Sequence, residues 1–118
     1  MSGTVIVGEV PVFDPLPDER ETARKLTEES AEVFGALSQY RKAYKRMIDY
    51  AGSASTDGLR DASDELVFAE EDLRGEIADV VQVIANLCAI VGVHDLRPDV
   101  ERCRKRNEER GRAYGHIC

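Results

Sequence analysis

Between Pro17 and Pro98 the chain runs for about eighty residues without a proline. Proline removes a backbone donor and clashes with the preceding helical turn, so this gap leaves room for long helices. Inside it, Leu26, Ser30, Val33, Leu37, Tyr40, Tyr44 and Met47 recur at alternating steps of four and three, the spacing of one helical face. The preceding "DPLPDERET" combines turn chemistry with acids suited to a helix start. A first helix is therefore predicted from near residue 18 to residue 51. The Gly- and Ser-rich "AGSASTDG" (51–58) reads as a loop. A second long helix, with room for a kink, is predicted from about Leu59 to Val91, stopped at Gly92. After a turn over residues 94–98, the charged "DVERCRKRNEERGRAY" reads as a third, mostly solvent-facing helix. Residues 4–13, "TVIVGEVPVF", are β-prone but broken by Gly8 and Pro11, which suits a short edge strand or an extended arm.

The second helix constrains the assembly. Wound at about 100° per residue, it carries Leu73, Ile77, Val80, Ile84, Leu87, Cys88 and Val91 on one broad face. Val83 and Ile90 widen that face, and only a polar track through Asp79, Gln82 and Asn86 remains. A helix apolar on most sides needs neighbours on most sides, and one partner helix from the same chain cannot supply them. The expected fold class is all-α: an antiparallel helical hairpin plus a short third helix, assembling by oligomerisation, as a homodimer or homotetramer, into a four-helix-type bundle. Residues 1–17 are expected to form an N-terminal arm and residues 18–118 one helical domain.

At 118 residues and a net charge of −7, the chain lacks the basic footprint of a nucleic-acid polymer binder. The apolar run 77–93 is short for a membrane span and is interrupted by Asp79, Gln82 and Asn86. Cys88, Cys103 and Cys118 are widely spaced, with no C-x-x-C, and read as reduced thiols rather than a disulfide frame or zinc site. "MSGTVIVGEV" has neither the basic start nor the apolar length of a signal peptide. The expectation is a cytoplasmic protein with no membrane partner.

The unusual feature is where the acids fall. Glu29 and Glu32 are three apart, as are Glu76 and Asp79, and residues i and i+3 project from neighbouring turns on the same side of a helix. Each pair is a small two-carboxylate platform beside an apolar stripe, with Glu29 at the stripe's edge and Glu28 further out. An antiparallel hairpin brings the two platforms together. Carboxylates so close repel and raise one another's pKa values, and a divalent cation removes that penalty. Oxygen-only ligands, with no His or Cys, point to a hard ion, Mg²⁺ or Mn²⁺, bound together with substrate phosphates. Solvated surface acids are the competing explanation.

"KLTEESAE" followed by "EIAD" resembles the E-E-x-x-E … E-x-x-D signature of the MazG-like all-α nucleoside triphosphate pyrophosphohydrolases. Lys25 extends it to the K-x-x-E-E-x-x-E form shared with phosphoribosyl-ATP pyrophosphohydrolases, and "KRNEERGR" is similar to the K-x-N-x-x-R ending of many small members. The resemblance covers roughly residues 20–38 and 73–112. It implies cleavage of a nucleoside triphosphate between its α- and β-phosphates, releasing the monophosphate and pyrophosphate. Carried over by position, it makes Glu29, Glu32, Glu76 and Asp79 the Mg²⁺ ligands. Glu28 becomes an additional ligand or orients the attacking water. Lys25, Lys105 and Arg110 are candidates to hold the outer phosphates, with ordinary solvated bases as the alternative, and Asn107 joins them through the K-x-N-x-x-R ending. Asn86, seven residues beyond Asp79 on the same polar track, is placed either to bond a base or sugar or to bond its own bundle neighbours.

The spacer between the two halves, residues 33–75, is longer than the family pattern, in a region that often frames the base. "EIADVVQVIANL" also lacks the Tyr-His that follows the Asp in the phosphoribosyl-ATP enzymes, which makes that substrate the secondary expectation. A non-catalytic helical dimerisation or interaction module explains the apolar faces equally well. A di-iron bundle needs Glu-x-x-His on two helices, and neither His94 nor His116 stands three after a Glu.

Overall fold

Asp18 starts the first helix. One of its carboxylate oxygens accepts hydrogen bonds from the backbone N–H groups of Arg20 and Glu21 at 3.1 and 3.2 Å, satisfying donors that have no partner inside the helix. Glu19 and Glu21 place negative charge on the same first turn. The computed structural model describes residues 3–53 and 56–111. It contains three helices: α1 (Glu19–Ala51), α2 (Thr56–Ile90) and α3 (Arg97–Glu109). Among the described residues there is no strand, in line with the all-α expectation.

α1 and α2 pack along their length as a hairpin. Glu29 lies beside Glu76 and Arg46 pairs with Glu65, which fixes the antiparallel register. Thr56–Gly58, expected in the loop, instead form the first turn of α2, with Asp57 favourably placed at the positive end of the helix dipole. The helix runs without a break to Ile90. Gly92 ends it at a φ of +79°, a conformation that glycine adopts without strain. The Val93 N–H then returns to the Cys88 carbonyl at 2.8 Å, closing the helix end.

The buried line of α1 is Thr22, Glu29, Ala36 and Ala43, one residue every seven. Leu26, Val33, Tyr40 and Met47 flank it half-buried, whereas Ser30 and Tyr44, expected on the packed face, are exposed. The contact face is thus rotated from the one that large apolar residues mark. Small Ala36, Ala43 and Ala62 let the two backbones approach closely, and Glu29 sits in that seam rather than at its edge.

Gln82 and Asn86 hold the arm. The Gln82 amide donates to the Pro11 carbonyl at 2.9 Å, and the Phe13 N–H donates to Asn86 Oδ1 at 3.1 Å. With no strand among the described residues to pair with, residues 3–17 form no regular secondary structure despite their β propensity, and the segment bends at Asp14 and Pro15. α3 packs on neither long helix and is laced by local ion pairs from Arg104 to Glu101 and Glu108. Residues 112–114 of the expected third helix lie outside the described residues. Cys88 is a free thiol, but Cys103 is disulfide-bonded, correcting the reading of three reduced thiols. Wide spacing in sequence sets no lower limit on distance in space, and distance is what pairing requires. No helix among the described residues is long and apolar enough to cross a membrane.

Candidate metal centre

Carboxylate oxygens of Glu29, Glu76 and Asp79 lie within 4.8 Å of one another. Glu29 comes from the third turn of α1, in the seam; Glu76 and Asp79 are one turn apart on α2. Glu29 is 6% exposed, Glu76 is half-buried and Asp79 opens to solvent, so the cluster has a closed floor and an open mouth. One Glu29 oxygen is held by Lys25 Nζ at 2.9 Å. The other, Oε2, is buried and, like Glu76 Oε2, has no hydrogen-bond partner while the neighbouring carboxyls are ionised; a proton held on Glu32 is a donor within reach. Buried polar atoms are satisfied in the great majority of native structures, and an orphaned carboxylate oxygen is costly. Two such oxygens in one carboxylate cluster on facing helices suit a bound cation.

Glu32 completes the electrostatics. Shared hydrogen bonding with Glu29 and Glu76, and their negative charge, push its carboxyl up to about 7. Glu29 moves the opposite way, held below the usual carboxylate range chiefly by its bond to Lys25. The Lys25 ammonium is correspondingly held above its usual value by Glu29. The cluster therefore retains a proton near neutrality that an isolated glutamate has lost.

The consequence for stability has a definite sign. Between the ordinary glutamate value of 4.5 and about 7, the folded chain binds a proton that the unfolded chain has released. Stability in a metal chelator falls as pH rises through that window. Glu29 acts oppositely, but only below the ordinary glutamate range. Melting temperatures measured in chelator from pH 5 to 8 are expected to decline, and the Glu32→Gln variant is expected to flatten the decline.

A cavity of about 360 Å³ adjoins the carboxylates, within the usual range for small-molecule sites. Lys25, Glu29 and Asp79 line one part; Gln82, Val83 and Asn86 continue the wall along α2; Phe13 and Pro17 of the arm close the side. Glu21 and Thr22 complete it from the first turn of α1. Of the residues singled out in the sequence, Lys25, Glu29, Asp79 and Asn86 share this cavity, and Glu76 and Glu32 stand against it through Glu29. Glu28 is exposed and 3.8 Å from Lys25. Lys105 and Asn107 are on α3 and Arg110 follows it; none of the three lines the cavity. Phe13 and Thr22 escaped sequence reasoning. Thr22 carries one usable signal, since it stands seven residues before Glu29 on the same seam. No family model, curated protein or solved structure matches the chain.

Proposed function

We propose that the chain is a divalent-cation-dependent hydrolase of nucleoside triphosphates, cutting between the α- and β-phosphates to release the monophosphate and pyrophosphate. The observation that carries the reading is the pair of orphaned, buried oxygens on Glu29 and Glu76, in a carboxylate cluster completed by Asp79 beside a ligand-sized cavity. All donors are oxygens, which suits Mg²⁺ or Mn²⁺ rather than a softer ion. When bound, such an ion neutralises phosphate charge and makes water a better nucleophile. It also lets an acidic protein hold a polyanion.

The chain's own residues supply the rest. Glu29, Glu76 and Asp79 hold the cation. Glu32, with a carboxyl near 7, is suited to accept a proton from the attacking water at neutral pH. Lys25, already at the cavity wall, meets phosphate oxygens as a point charge. The resemblance of "KLTEESAE … EIAD" to the MazG-like signature favours the same assignment, with phosphoribosyl-ATP as the alternative substrate. Assembly into a homo-oligomeric helical bundle belongs to the proposal, because large apolar side chains such as Phe34 and Phe68 are exposed at 73% and 76%. Those side chains equally favour the second reading, a helical interaction module without catalysis.

Melting with Mg²⁺ and a panel of nucleoside triphosphates, scored also for pyrophosphate release, separates the two. A native state that binds ligand is stabilised by about 2.7 kcal/mol at a hundredfold excess over Kd. A rise in melting temperature with pyrophosphate release is the expected result. No rise and no product with any triphosphate leaves the interaction module as the reading.

A further inference from the structure

We infer that Phe13 of the arm and Asn86 of α2 form a nucleobase subsite, in which the ring of a bound nucleotide stacks on Phe13 and accepts a hydrogen bond from the Asn86 amide. The inference rests on the pyrophosphohydrolase reading and adds the part of the substrate that the chain grips besides phosphate.

The cavity lining is chemically mixed. Glu21, Lys25, Glu29 and Asp79 are charged, whereas Phe13, Pro17 and Val83 are apolar, and Phe13 is tied to Asn86, two turns along α2 from Asp79. An inorganic phosphate chain has nothing to place against the apolar side chains, and an apolar ligand has no use for the charged ones. A phosphorylated molecule carrying a flat, uncharged ring suits both.

Asn86 supplies the direction. It is only 3% exposed and lines the cavity. Its Oδ1 already accepts twice, from the Phe13 N–H at 3.1 Å and from Gln82 Nε2 at 3.2 Å. Those two bonds fix which way the amide faces. They leave the Nδ2 group without a hydrogen bond to any described residue. Nδ2 is not one of the fully enclosed orphan atoms, so it stays reachable from the cavity, and a carbonyl or ring nitrogen of a base is a matching acceptor. The same bond ties the Phe13 backbone to Asn86, so the aromatic face and the donor are positioned as one unit. Phe13 is 55% exposed, which leaves its ring free to stack. Residues 33–75, the stretch expected to frame the base, contribute no wall to this cavity; the arm does.

Binding is measured in Mg²⁺ for two probes, a nucleoside 5′-monophosphate and ribose 5-phosphate, which differ only in the base. Stacking on an aromatic side chain is worth about 5- to 150-fold in affinity. The wild-type chain is expected to prefer the monophosphate by a factor in that range. Phe13→Ala is expected to erase most of the preference while leaving ribose 5-phosphate binding unchanged. Because Phe13 lies on the arm and is half exposed, this variant leaves the helical hairpin intact, which circular dichroism checks. Equal affinity of the wild-type chain for both probes overturns the subsite and leaves the phosphate site standing, as does an unaltered preference in Phe13→Ala. If neither probe binds and Mg²⁺ gives no thermal shift, the hydrolase reading falls with it.

Discussion

Glu76→Gln is expected to cut Mg²⁺-dependent pyrophosphate release by about a hundred- to a thousandfold while making the metal-free protein no less stable. The two effects have opposite signs because Glu76 does two things. In the metal-free chain its charge adds to the repulsion that pushes Glu32 up to about 7. A neutral amide of the same shape relieves that repulsion, so the melting temperature in chelator is expected to hold or rise, most clearly above pH 7. With a cation present, the substitution removes one of the anionic donors at the floor of the cluster, whose Oε2 has no other partner. A bound cation contributes several kcal/mol of transition-state stabilisation, so turnover is expected to fall by about a hundred- to a thousandfold. The thermal shift on adding Mg²⁺ should shrink in parallel. A residue serving only the fold would lower stability and turnover together. Undiminished turnover in folded Glu76→Gln would remove the cluster from the chemistry.

The convergence of the acids was legible because it needs only two things, the i, i+3 spacing of each pair and the antiparallel hairpin that a short loop imposes. The start of α1 at Asp18 and the stop of α2 at Gly92 were legible for local reasons, a side-chain cap and a positive φ. The rotation of the packed face was not. Ala36, Ala43 and Ala62 define the seam, yet alanine contributes little to an apolar pattern, so Leu37 and Tyr44 outweighed them. Glu29 was consequently placed at the margin of a seam it occupies. The arm was hidden for a different reason. Its position depends on Gln82 and Asn86, some seventy residues away, and local β propensity carries no trace of such bonds.

α3 marks a different limit. Its charge pattern correctly announced a solvent-facing helix, and the ion pairs of Arg104 with Glu101 and Glu108 satisfy much of that charge locally. Whether Lys105, Asn107 and Arg110 meet a phosphate depends on where the helix docks. Charge pattern does not encode docking, and α3 touches neither long helix within one chain.

In solution the chain is expected to run at no less than about 26 kDa, twice its 13.1 kDa mass, and the dimer-disrupting variant Ile77→Asp is expected to be smaller and far less stable. The area argument is quantitative. A folded monomer of this mass exposes about 6,400 Å², whereas this chain exposes 9413 Å². The radius of gyration, 18.5 Å, likewise exceeds the roughly 13.5 Å of a compact domain of this length. The excess of about 3,000 Å² per chain is more than each partner contributes to a stable homodimer. Its apolar content is specific: Phe34 on α1 and Phe68, Ile77 and Val91 on α2 all remain exposed. Ile77 also borders a shallow apolar groove with Val33 and Val80, between the two helices. A carboxylate buried there in each copy leaves an uncompensated charge on both sides of a symmetric interface. Dissociation should therefore rise by at least a hundredfold, and melting temperature should become strongly dependent on protein concentration. Light scattering coupled to size exclusion measures the first and circular dichroism the second. A wild-type chain that is monomeric and fully helical at micromolar concentration would overturn the bundle. It would leave the carboxylate cluster in place, because Glu29, Glu76 and Asp79 all come from one hairpin.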